Sequence, residues 1–241
     1  MDLGLSGRVA LVTAASKGLG RASALALARE GARLVICARG EEALRATEAE
    51  VAAHTEVLAL VADVTRPEEP RRLVDATVER FGSVDVVVAN AGGPPPARAL
   101  DVDDEAMHAA LEANFVTSVR LVREAVPHMR SRGWGRICLI TSSSIKQPIP
   151  TLAMSNSART ALWSWAKTAA ADVFADGITL NLACPGTHAT DRMRQLGLPD
   201  TTPMGDPADF GRVVAFLCSE PAAFVSGAAL SVDGARSLCL L

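Results

Sequence analysis

Directly after its first apolar run the chain reads TAASKGLG, Thr13 to Gly20, and then becomes helical. Holding a phosphate takes a tight strand-to-helix turn without bulky Cβ atoms and free N–H groups at the helix start. Gly18 and Gly20 supply the turn and the close approach, with Thr13, Ser16 and Leu19 around them and the cation Lys17 inside the loop. Position 14, where a third glycine is expected, is alanine. Three more pieces end later apolar runs: Asp63-Val64, Asn90-Ala91-Gly92 and Pro185-Gly186. A carboxylate at 63 can accept from an adenine amino group, and small residues at 90–92 let backbone approach a nucleotide. Ligands of open α/β sheets sit beyond the carboxyl ends of the strands. Four such pieces at successive ends therefore point to one dinucleotide cleft.

The elements that must position them are legible as alternating runs. Val9–Thr13, Arg33–Cys37, Val57–Val61, Asp85–Ala89, Arg136–Thr141, Ile178–Ala183 and Ala229–Val232 are almost continuously apolar, as strands buried on both faces of a parallel sheet are. Between them, apolar residues recur at helical spacing in Leu19–Glu30, Glu41–Ala53, Pro67–Phe81, Asp103–Ala113, Asn114–Arg130, Asn156–Ala175 and Ala208–Ser219. This alternation predicts an α/β fold, a Rossmann-type doubly wound, seven-stranded and mainly parallel sheet with helices on both faces. No repeat or linker interrupts it, so residues 1–241 are expected to form a single domain.

Composition narrows the chemistry. With 241 residues, 49% of them apolar, the chain can build one large core. A net charge of −3 gives no basic field for nucleic acid, and no uninterrupted apolar stretch reaches membrane-spanning length. Five scattered cysteines read as reduced packing residues, neither a disulfide frame nor a metal site, which fits a cytoplasmic protein. The chain has no tyrosine, and three lysines (Lys17, Lys146, Lys167) against twenty-one arginines. No phenol can take part in its chemistry.

Taken together, TAASKGLG, DVT (63–65), NAG (90–92), Asn114, GRICLITSSS (135–144), CPG (184–186), Thr190 and FVSGAALSVDGA (224–235) resemble the short-chain dehydrogenase/reductase family over nearly the whole chain. The resemblance implies a nicotinamide cofactor bound by the glycine loop, by 63–64, 90–92 and 185–186, and by Thr190. NAD-preferring members carry an acid after the second strand for the ribose hydroxyls. Here Ala38 stands in its place and Arg39 follows, so Lys17 and Arg39 would clamp a 2′-phosphate. NADP(H) is the expected cofactor, with NAD(H) the alternative.

The family's catalytic set is Asn, Ser, Tyr and Lys. Asn114 and Ser142 match the first two; the Tyr and Lys positions, 13 residues after Ser142 and four further on, hold Ser155 and Arg159. A phenol ionises near pKa 10 and an aliphatic hydroxyl near the value for water, a difference of roughly 8 kcal/mol in releasing a proton. Arg159 would hold ribose hydroxyls and stabilise an oxyanion but would not relay a proton as lysine does. His188, in the loop that crosses the nicotinamide edge in the family, is the first candidate for a replacement acid, and Lys146 is expected on the pocket rim.

Residues Asp191–Asp206 replace a longer substrate flap and suggest an open pocket for a small-molecule or carrier-bound carbonyl substrate. The leading expectation is an NADP-linked oxidoreductase with an atypical active site. The competing readings are a non-redox enzyme (dehydratase, isomerase, cyclase or lyase) and a non-catalytic nucleotide-binding protein. The resemblance further implies a homodimer or homotetramer, with Trp163 and Trp165 divided between core and subunit contact.

Overall fold

Seven strands, β1 (Val9–Val12), β2 (Arg33–Ala38), β3 (Val57–Val61), β4 (Val86–Ala89), β5 (Gly135–Ile140), β6 (Ile178–Pro185) and β7 (Ala229–Val232), fall on the apolar runs expected of them. They form one sheet in the order β3-β2-β1-β4-β5-β6-β7, every neighbouring pair parallel. The computed structural model describes residues 1–196 and 201–239. Strand order reverses between β1 and β4, which opens a crevice at their carboxyl ends.

Both faces of the sheet are covered. Val9 and Leu11 of β1 point into one apolar core with residues of α3 (Glu69–Phe81), α5 (Thr117–Arg132) and α6 (Ala153–Phe174). Ala10 and Val12 point the other way, into a core shared with α1 (Gly18–Arg29), α2 (Glu41–Ala52) and α8 (Pro207–Leu217). Each fully buried leucine in these layers contributes about 1.5–3 kcal/mol by leaving water. Opposite the crevice, buried Asp85 accepts from Val9 N at 2.8 Å and Ser83 Oγ at 3.1 Å and faces Arg132 at 3.2 Å, which locks β1 to the start of β4.

Helix boundaries depart from expectation where the signals are tertiary. Asn114 does not open α5; it lies in a π turn, residues 112–116, between α4 (Asp104–Leu111) and α5, closed by the Thr117 N–H and hydroxyl on Glu112 O. α6 begins at Ala153, three residues early, and no side chain caps it, so its start carries no local sequence mark. The flap contains an unanticipated helix, α7 (Asp191–Gln195). Its base is closed by Ala189 N to Gly205 O and Gly205 N to Thr187 O, both 2.9 Å. The Trp163 and Trp165 side chains pack, half-buried, on the same core.

Candidate active site

A cleft of about 490 Å³ runs along the carboxyl ends of β1, β4, β5 and β6. Its floor at one end is the glycine loop. Gly18 takes φ +55°, and a Cβ at Gly20 would strike Ala14 O at 2.4 Å and Asn90 Nδ2 at 2.7 Å. Ala14, at the position expected to be glycine, adopts φ 47°, a left-handed conformation costing roughly 1–2 kcal/mol for a residue with a Cβ. No side chain caps the start of α1, so its first N–H groups remain available to an anion. Lys17 and Arg39, both exposed, line the same end. These features fit a dinucleotide phosphate chain with a further phosphate near Lys17 and Arg39.

The other residues expected at the cofactor divide into two groups. Ser16, Leu19, Asn90, Ala91, Gly92, Pro185, Gly186 and Thr190 line the cleft with the loop. Thr190 sits over Gly18, its Cγ2 3.5 Å from where a Cβ would be. Thr13, Asp63 and Val64 are not cleft-lining. The Thr13 hydroxyl ties β1 to the end of β4, donating to Asn90 O at 2.8 Å and accepting from Asn90 N at 2.9 Å. Val64 packs on the core. Burial opposes ionisation of Asp63, but hydrogen bonds from Thr65 and the charges of Arg39 and Arg66 hold its carboxyl below the usual range.

At the opposite end Ser142, Ser155 and Arg159 line one wall. Ser142 Oγ accepts from Ser144 N at 3.1 Å, leaving its own O–H free to donate. Arg159 is 6% exposed. Its Nε donates to Ser155 Oγ at 3.2 Å, and its two Nη groups donate to Ile140 O at 3.0 Å and Ala91 O at 3.3 Å, at the ends of β5 and β4. All three acceptors are neutral. Burial first, then the charge of Arg192, push the guanidinium down to about 10.

Two expectations for the chemistry are met differently. The His188 ring is 5% exposed and packs edge-on against Phe210 at 5.2 Å. Its Nδ1 lies 3.4 Å from Gly186 O, and its Nε2 edge abuts Gly205. Both nitrogens thus have backbone beside them, and the ring lines the cleft while bracing the base of the flap. Asn114 is buried beside the cleft rather than in its lining; Nδ2 donates to Ala110 O at 3.4 Å and Oδ1 has no partner. Lys146 lies in a separate depression with Trp163 and Lys167. Sequence reasoning missed Leu152 and Arg192, which also line the cleft. Neither carries a local signal: Leu152 precedes an uncapped helix, and Arg192 is one of many arginines.

Comparison with known proteins gives a consistent result. A family profile described as enoyl-(acyl carrier protein) reductase matches residues 13–235. The dehydrogenase/reductase SDR family member 4 of Sus scrofa is 31% identical, over 95% of this chain and 87% of its own. The short chain dehydrogenase/reductase astE of Aspergillus oryzae is 31% identical over 97% and 96% respectively. The crystal structure of L-sorbose reductase from Gluconobacter frateurii, complexed with NADPH and L-sorbose, superposes with a TM-score of 0.91 at 31% identity, covering 99% of this chain and 100% of that one.

Proposed function

The chain belongs to the short-chain dehydrogenase/reductase family and is an oxidoreductase of that type, and from this premise we propose that it reduces a carbonyl compound with NADPH through an active site without a phenol. The observation that carries the proposal is the cleft itself, which holds a phosphate cradle with Lys17 and Arg39 at one end and Ser142, Ser155 and Arg159 at the other. The structurally similar L-sorbose reductase carries NADPH, which favours the same cofactor here.

When bound, the nicotinamide supplies a hydride to the carbonyl carbon. The residues of the chain do the rest. Ser142 donates its free O–H to the carbonyl oxygen, and Ser155 accepts from Arg159 Nε and helps to hold the guanidinium in place. As the C=O electron pair moves onto oxygen, the buried cation of Arg159 stabilises the developing alkoxide, and low local dielectric strengthens that effect. Water entering the open cleft protonates the alkoxide. Asn114 supports this wall from behind, and His188 fixes the flap that bounds it. The same reading includes a cytoplasmic location and a homodimer or homotetramer.

The test is anaerobic incubation with NADPH and a panel of ketones, quinones and acyl thioesters, following absorbance loss at 340 nm. We expect cofactor oxidation that survives Ser155→Ala and falls about 10²–10³-fold in Ser142→Ala. Product formation without net cofactor consumption would assign a non-redox reaction. Tight NADPH binding with no chemistry on any substrate would make the cleft a nucleotide-binding site only.

A further inference from the structure

Arg192, on α7, reaches across the cleft to its opposite rim. Its Nη2 donates to Pro94 O at 2.6 Å and would lie 3.4 Å from a Cβ at Gly93. Arg159 lies in the wall of the same cleft. An arginine has five N–H donors; Arg159 commits three to neutral oxygens and Arg192 one. Among the described residues neither has a carboxylate within ion-pair distance. Asp191, which also lines the cleft, is paired with Arg194 at 2.5 Å. Asp233, behind Gly186, accepts from Ala235 N and Ser237 N, each at 3.1 Å.

Among the described residues the substrate end therefore holds two guanidinium groups and no uncommitted acid. Like charges in one partly dry cavity repel, and the charge of Arg192 adds to burial in disfavouring the Arg159 cation. An anion arriving between them removes that repulsion and takes up the remaining donors. The proposed cofactor already assigns an anion to the other cationic end, Lys17 and Arg39, and its pyrophosphate to the start of α1. Nothing in that assignment neutralises Arg192.

We propose that the carbonyl substrate carries a carboxylate, and that Arg192 is the specificity residue that grips it, the planar guanidinium fork pairing both carboxylate oxygens. The inference rests on the reductase reading of this cleft and narrows its substrate to an oxo acid. Arg159 contributes charge at the carbonyl; Arg192 contributes orientation at the acid.

The test is calorimetric titration of the protein saturated with NADP+, using three acid–ester pairs: benzoylformate, 2-oxo-4-phenylbutanoate and acetoacetate, each against its ethyl ester. We expect at least one acid to bind tenfold or more tighter than its ester. In Arg192→Met that acid should fall to the level of its ester while NADPH affinity changes less than threefold. Equal binding of acids and esters, or no binding of any acid, overturns the inference. So does an acid preference that survives Arg192→Met. A tenfold loss of NADPH affinity in the variant with the preference intact also overturns it, because Arg192 then serves the cofactor phosphates. Should Arg192→Met not fold, Arg192→Gln replaces it, and the acid–ester comparison on the unaltered protein stands regardless. If the protein binds neither NADP+ nor NADPH, the reductase reading falls separately, and the same titrations on the unloaded protein still decide whether the cleft selects anions.

Discussion

Removing the buried cation from the cleft wall, Arg159→Met, separates what the guanidinium does for folding from what it does for chemistry. Arg159 is 6% exposed and has no acidic partner among the described residues, and its pKa is pushed down to about 10 by burial and by Arg192. A depression of that size against an ordinary arginine costs on the order of 3 kcal/mol at neutral pH. Against this stand three hydrogen bonds, to Ser155 Oγ, Ile140 O and Ala91 O. At about 0.5–1.5 kcal/mol each, with the cost of the charge entered separately, they sum to roughly the same figure. Deletion leaves behind no stranded charge, only neutral oxygens at the cleft wall that water can reach. The variant should therefore unfold within about 1.5 kcal/mol of the parent, a Tm change of roughly 6 °C or less in either direction for a chain this long. The folded pKa lies below the unfolded one, so the penalty is fully present below pH 10 and is relieved as pH rises through about 10. The stability of the parent should accordingly gain on that of the variant in this window. Carbonyl reduction, by contrast, should fall about 10²–10³-fold in kcat. The assays are thermal denaturation at pH 7 and pH 10.5 and steady-state NADPH oxidation. A Tm loss above about 10 °C, or an unchanged kcat, would refute the reasoning.

Three other outcomes follow. In Gly20→Ala the new methyl meets Ala14 O at 2.4 Å, so stability should drop by roughly 1–3 kcal/mol in thermal melts, and NADPH binding measured by fluorescence should be lost with it. The double variant Lys17→Ala/Arg39→Ala should weaken NADPH by about 10- to 100-fold and NADH by less than threefold in the same titration; equal weakening would contradict the 2′-phosphate assignment. Burial raises the Cys37 thiol to about 12 and the Cys184 thiol to about 11, and Cys138 is raised by the hydrogen bond its thiol donates to Cys218 and by burial. An aromatic disulfide reagent should therefore titrate one thiol in the native protein, the exposed Cys239, and none in Cys239→Ser.

The sequence by itself determined the sheet, the placement of the glycine loop and the pairing of Ser155 with Arg159. Each of these is written locally. Strands buried on both faces must be continuously apolar, a phosphate turn must be small, and residues four apart on α6 must share a face, so Arg159 meets Ser155 wherever the helix goes. Tertiary structure decided the rest, because desolvation and side-chain direction depend on residues far along the chain. His188 could be read as an acid from its position after Pro185-Gly186, but that position does not show that Gly205 of the flap and Phe210 just after it pack against a ring that lines the cleft. Asn114 was visible as a residue type but not as the centre of a π turn, since that register is set by the packing of α4 and α5 around it. Arg192 was one arginine among many until α7 carried it to Pro94, across a cleft whose two walls lie almost a hundred residues apart in the chain. Spacing fixes which side chains are neighbours on one element, while the charge a cleft presents is fixed only when separate elements close around it.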